Sequence, residues 1–142
     1  MLNQLKALAD ENRMRIFHLL LTDELCVCEI ETILDVTQSN ASRHLTKLRQ
    51  AGIISSSKDA QWVHYKVSNE FKMNGQKLIE YLRDTLEVEE PYVSDIKKLK
   101  KYQLLGLSCT DIRKDSLNVI TLIQEESWKK KFRKIWICLK GT

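Results

Sequence analysis

A mainly helical fold with a helix–turn–helix, a two-stranded β-hairpin and a further long helix is what this 142-residue chain predicts. Three observations carry that reading. Apolar residues recur at helical spacing through the first fifty positions. The period changes after Gly52 and returns to helical from Asn69. The charge balance turns basic around the change of period: residues 36–66 hold 5 basic and 1 acidic side chains, against 3 basic and 7 acidic over residues 1–35. Helix–turn–helix then hairpin is the layout of a winged helix, and the charge suits a face built for a polyanion.

Taken in order, Leu2, Leu5, Leu8 and Ala9 predict a short first helix. Asp10 is placed to cap a second helix that turns Met14, Phe17, Leu20 and Leu21 inward. Thr22-Asp23 interrupts the pattern, and a third helix over about Val27 to Leu34 buries Ile30, Ile33 and Leu34. After the connection Asp35-Val36-Thr37, Gln38 to Gln50 is the clearest helix, with Ala41, Leu45 and Leu48 as its inner line. It carries no acidic residue, as a helix lying against phosphates requires, and Gly52 can take the positive φ that ends it. Ile53 to Ser56 and Trp62 to Val67 read as strands, with Ser57 to Ala60 as their turn. Ala60 is the weak point, because such turns favour Gly, Asn or Asp.

Asn69 to Glu90 reads as one helix stopped by Pro91, with Leu78, Ile79, Leu82 and Leu86 as an apolar stripe. A stripe that strong after a complete small unit needs a partner, and a second copy is the simplest, giving a homodimer. Leu5 joins these four as a dimerisation candidate. The division expected is residues 1–90 as a winged-helix DNA-binding and dimerisation domain, and 91–142 as a C-terminal extension, helical in part. In the extension, Ile96, Leu99 and Tyr102 to Leu105 suggest a helix ending at Gly106. Leu117 to Ile123 could be helix or strand, and residues 127–142 form a basic tail with six basic and no acidic side chains.

No stretch approaches the ~20 apolar residues of a membrane-spanning helix, and no secretory signal opens the chain. A cytoplasmic protein with reduced cysteines is expected. Cys26 and Cys28, in Glu24-Leu25-Cys26-Val27-Cys28-Glu29-Ile30, then stand out as paired thiols before the basic helix. Soft thiolates select thiophilic metals and metalloids. Residues two apart on a regular helix project about 200° apart, so one ion could be held only if the helix start is distorted. For DNA, Arg43, Lys47 and Arg49 are expected to neutralise phosphates. Gln38, Ser39, Ser42 and His44 are candidates for base edges or phosphates, with Lys58 and Gln61 at the wing. His18 and His64 read as packed or surface residues.

Leu5 to Arg13, the Cys26–Cys28 segment, Gln38 to Leu45 and Ala51-Gly52-Ile53 together resemble the arsenic-responsive repressor family (ArsR/SmtB type), and Trp62 to Val67 matches its second wing strand. The resemblance covers about residues 2–90. It implies a dimeric winged helix that occludes operator DNA until an ion binds. The implied inducer is As(III) or Sb(III), with Cd(II) or Pb(II) as alternatives, held by Cys26 and Cys28. Some arsenite-binding members carry a third cysteine where this chain has Glu31. Cadmium-type members recruit cysteines from an N-terminal arm, which has none here. The family's alternative zinc site on the dimer helix has no match, since Asn69 to Glu90 lacks histidine. Arsenite prefers three sulfurs, so a third ligand is sought in Cys109, Cys138 or a small cellular thiol, with Cys109 favoured.

Two rivals remain open. One is a repressor of the same fold that answers to oxidation of the thiols. The other is a thiol-dependent oxidoreductase, weakened by the lack of a Cys-x-x-Cys in a strand–helix unit and by only 4 glycines. No enzymatic activity is expected.

Overall fold

The computed structural model describes residues 1–124. It is mainly α with one small sheet. The first half runs α1 (Leu2–Leu8), α2 (Glu11–Thr22), β1 (Leu25–Cys26), α3 (Val27–Leu34), α4 (Gln38–Gln50), β2 (Ile54–Asp59) and β3 (Trp62–Val67). Then follow α5 (Asn69–Asn74), α6 (Gln76–Leu86), α7 (Tyr92–Leu104), α8 (Cys109–Lys114) and α9 (Ser116–Ile123). Helices α3 and α4 make the helix–turn–helix, and β2 and β3 make the wing.

Local chemistry sets these boundaries. The Asp10 side chain caps α2 by accepting from the Arg13 N–H, and Thr37 caps α4 by accepting from the Asn40 N–H. Between α3 and α4, Asp35 takes a left-handed conformation at φ 52°, which Asp tolerates better than most residues. Gly52 follows α4 at φ 76° and turns the chain into the wing. The sheet order is β1-β3-β2, all antiparallel, with Cys26 opposite His64 and Asp59 opposite Trp62.

Two expectations change, at the wing and over residues 69–90, and one open alternative closes. The wing strands are longer than the sequence suggested, leaving only Ala60 and Gln61 at the tip, and Ala60 takes φ 53°. The helix expected over residues 69–90 is two helices broken at Gly75, and it ends at Leu86, before Pro91; a Cβ at Gly75 would lie 2.9 Å from the Phe71 carbonyl oxygen. Residues 117–123 are helical, inside α9. Cys109 is the first residue of α8, after a cap in which the Ser108 hydroxyl and N–H both donate to Asp111. The basic tail, Cys138 included, lies outside the described residues.

Residues 92–123 share the core of the first half. Leu99, Tyr102, Ile112, Val119 and Ile123 belong to the same buried cluster as Phe17, Ile30, Ile33 and Leu45. One ion pair pins the join. Arg15 on α2 donates twice to Asp95 on α7, both at 2.8 Å, and Asp95 is 1 % exposed. A buried carboxylate must be paired and hydrogen-bonded to be tolerated, so this bidentate fork fixes where α7 sits. Helix α7 in turn hands the chain through Gly106, at φ 64°, to α8 against α3.

Candidate thiol centre and DNA-facing surface

Three sulfurs meet at the start of α3. Cys26 ends β1, Cys28 is the second residue of α3, and Cys109 arrives from α8. The Cys28 Sγ lies 2.8 Å from the Cys26 Sγ and 2.8 Å from the Cys109 Sγ. Cys26 and Cys109 are in direct sulfur contact as a disulfide pair. All three sulfurs fall within 4.8 Å of one another. The Cα atoms of Cys26 and Cys109 are 7.8 Å apart, beyond the usual disulfide range of about 4.4–6.8 Å. The three sulfurs thus meet at one point, brought there by β1, α3 and α8.

The helix distortion anticipated for Cys26 and Cys28 takes a different form. Cys26 is not in the helix at all: it is the N-cap, extended at φ −86° and ψ 164°. Strand geometry at Cys26 and helical geometry at Cys28 let the sulfurs face each other without unwinding α3. The neighbours hold this corner. Glu29 reaches back to accept from the Cys26 N–H at 3.0 Å, and the Thr32 hydroxyl donates to the Cys28 carbonyl at 2.8 Å.

Burial, with a smaller contribution from the Glu29 charge, pushes the Cys28 thiol up to about 11. Burial also raises the Tyr102 hydroxyl, with Glu29 adding to it. Cys28 is therefore a protonated thiol at neutral pH, and a soft ion must displace that proton to bind. Three thiolates supply an all-sulfur donor set, the chemistry that thiophilic metals and metalloids prefer. Glu31, at the position of the third cysteine in some members of the resembled family, lies outside this cluster. Cys109 completes the sulfur cluster instead, from 81 residues beyond Cys28. Arg15, Asp95, Glu29 and Thr32 were not singled out from the sequence. Only the Glu three residues after the cap carried a signal, as the second half of a capping box.

The DNA-facing candidates separate cleanly. Gln38, Ser39, Ser42, Arg43, Lys47 and Arg49 are exposed along α4, and Lys58 and Gln61 are exposed at the wing. His44 is the exception. It is 5 % exposed, with its Nδ1 4.0 Å from Asp10, and burial lowers its pKa. Ala41, His44, Leu45 and Leu48 follow i, i+3, i+4, i+7, so His44 belongs to the inner stripe of α4 and cannot reach DNA from there. His18 is packed too, its ring 5.8 Å from that of Tyr92.

The apolar stripe on α6 divides in the same way. Ile79 and Leu86 are buried within the chain, whereas Leu78 and Leu82 are half-buried. Leu5 is 42 % exposed on α1, close to exposed Leu2, and Met73 and Tyr81 are exposed on α5 and α6. A second copy can therefore reach Leu5, Leu78 and Leu82, while Ile79 and Leu86 serve the chain's own core.

Comparison with known proteins agrees with this geometry. The model of the arsR family of bacterial regulatory proteins matches residues 10–56, which run from the cap of α2 to the middle of β2. The cadmium resistance transcriptional regulatory protein CadC of Listeria innocua is 45 % identical over 65 residues, 45 % of this chain and 55 % of CadC. The chain thus spans about half the length of that relative. The arsenic resistance transcriptional regulator ArsR2 of Pseudomonas putida is 35 % identical over 91 residues, 63 % of this chain and 76 % of the relative. Among solved structures, the homodimeric winged helix-turn-helix DNA-binding domain Mb0332 from Mycobacterium bovis superposes with a TM-score of 0.52 at 26 % identity, covering 62 % of this chain and 82 % of that one. These are DNA-binding regulators and not enzymes. No described helix is long and apolar enough to cross a membrane. The chain belongs to the arsR family of bacterial regulatory proteins.

Proposed function

We propose that this chain is a cytoplasmic, homodimeric repressor that leaves its operator when a thiophilic ion occupies Cys26, Cys28 and Cys109. As(III) or Sb(III) is the favoured inducer, because the donor set among the described residues is three sulfurs; Cd(II) and Pb(II) are the alternatives. The convergence of three thiols from β1, α3 and α8, at 2.8 Å for the two contacts of Cys28, carries the reading. Cys26 is hydrogen-bonded through β1 to the wing strand β3, and Cys28 lies in the first turn of α3, which packs on α4. Fixing the sulfurs relative to one another therefore constrains both DNA-facing elements. In the ion-free protein, Arg43, Lys47, Arg49 and Lys58 neutralise phosphates, while Gln38, Ser39, Ser42 and Gln61 touch bases or nearby backbone. Residues 1–90 supply DNA binding and the Leu5, Leu78 and Leu82 dimer contacts, and the extension from residue 91 supplies the third sulfur.

The test is a titration of a protein–duplex complex, with the duplex selected from random DNA, against arsenite, antimonite, cadmium and lead in reducing buffer. Release with a sulfur-to-ion absorption band is expected for the unsubstituted chain. Cys26→Ser and Cys28→Ser should bind the duplex and stay on it. Indifference to every thiophilic ion would overturn the proposal. The Cys26–Cys109 sulfur contact favours a second reading, release by oxidation. Peroxide without any ion would then release the duplex, and a reductant would restore binding.

A further inference from the structure

We infer that Arg113 is the positioning residue through which the thiol site acts on the tip of the wing, an inference that rests on the sensor reading above. Helix α8 is six residues long and touches both places. Its first residue is Cys109, 2.8 Å from Cys28 across the sulfur cluster. Arg113, four residues later, lies on the same side of the helix. Its guanidinium sits over the Trp62 ring, 5.3 Å from the centroid. Trp62 opens β3 directly after the Ala60-Gln61 turn and pairs with Asp59.

The topology explains why α8 reaches this point. Strand β1 covers β3 only at His64 and Tyr65. The part of β3 nearer the tip extends past β1, and there α8 meets it. The sulfur cluster is thus joined to the wing twice: Cys26 through the β1–β3 ladder, and Cys109 through Arg113 on Trp62. A single short helix moves as one body, so any change in where Cys109 is held changes where Arg113 rests. A cation–π contact at an exposed site is weak, which suits a contact that must be made or released by a small shift. Coupling of this kind is reciprocal: DNA holding the wing alters ion affinity by the same factor as the ion alters DNA affinity.

The experiment uses the full chain, the selected duplex and arsenite as the probe, comparing Arg113→Ala and Arg113→Lys with the unsubstituted protein. Three signals are read: the sulfur-to-ion absorption band, duplex affinity, and the emission of Trp62, obtained as the difference from Trp62→Phe. In the unsubstituted protein the Trp62 emission should change with the same midpoint as the absorption band. In Arg113→Ala the band should remain, ion-free duplex binding should stay within about threefold, and the arsenite-induced loss of affinity should shrink by about fivefold or more, the low end of ordinary coupling. Ion-free Trp62 emission should already differ in that variant, and Arg113→Lys should recover part of the response. Full release from Arg113→Ala, or a Trp62 signal blind to loading, overturns the inference and leaves the sensor reading intact. Loss of ion-free duplex binding by more than about tenfold also overturns it, making Arg113 a phosphate contact. If no absorption band appears, the sensor reading fails and this inference goes with it.

Discussion

Cys26 and Cys28 reach the sulfur cluster by local geometry, whereas Cys109 reaches it across 81 residues of chain. The first two lie at a strand-to-helix junction inside the segment matched by the family model, and their approach needs only an extended N-cap followed by a helix. The third depends on tertiary docking: the Arg15–Asp95 fork fixes α7, the Gly106 turn redirects the chain, and Ile112, Val119 and Ile123 seat α8 and α9 on the core. One half of the site forms wherever the helix–turn–helix forms. The other half exists only while the extension stays docked, which makes the seam between them the sensitive point.

Breaking the seam gives the largest expected effect. Arg15→Leu leaves Asp95 buried without its counter-charge, and removal of one partner of a buried pair costs about 3–5 kcal/mol. Denaturant unfolding should show that loss. The double variant Arg15→Met/Asp95→Leu should recover most of it, because replacing both charges by apolar groups is close to neutral. A loss well below 1 kcal/mol for Arg15→Leu would mean the extension is not held here.

Cys109→Ser separates the two halves without unseating the helix. The residue is only half-buried and serine is nearly its size, so thermal stability should change little. Arsenite affinity, read from the absorption band, should fall by about tenfold or more, about 1.4 kcal/mol. Duplex binding without ion should be unchanged. An unaltered arsenite titration would return the site to Cys26 and Cys28 alone.

Lys47→Ala probes the half that the family match covers. Lys47 is exposed on α4 and is assigned to a phosphate. Duplex binding measured against salt should lose about 1.8 from the slope of log affinity on log salt, because one phosphate contact is removed from each protomer of the dimer. The arsenite band should stay as it was. A shift in that band would show that the reading helix and the sulfur cluster are not separable in this way.

The same division governs how much could be read from residues alone. Helix α4, its Gly52 stop and the Asp10 cap follow from spacing and side-chain chemistry within a few residues, and each stands where the sequence put it; the thiol pair is adjacent as expected but meets through an extended Cys26 and not a distorted helix. His44 was misassigned because its polarity outweighed its place in the i, i+3, i+4, i+7 stripe with Ala41, Leu45 and Leu48. The break at Gly75 is not marked in the sequence because the apolar stripe runs through it; the structure shows only that a Cβ there would crowd the Phe71 carbonyl oxygen, which makes glycine the residue that fits. Strand β1 is two residues long and owes its existence to β3, so no local pattern marks it. The Arg15–Asp95 fork and the Arg113–Trp62 contact join residues 80 and 51 positions apart, and nothing in either neighbourhood points to the other.

The wing turn adjoins one of the points where the two halves touch, Arg113 on Trp62, and it offers the finest adjustment. Ala60 sits at φ 53°, a conformation that costs a residue with a Cβ roughly 1–2 kcal/mol. Ala60→Gly removes that cost, while the extra freedom of the unfolded glycine chain takes back about 0.5–1 kcal/mol. The net expectation is stabilisation of about 0.5–1 kcal/mol, visible as a higher denaturation midpoint with an unchanged slope. Because Trp62 lies two residues on, a firmer turn should leave the Arg113 contact in place and the arsenite response undiminished. A lower midpoint would mean that the Ala60 side chain stabilises the tip by more than its backbone conformation costs.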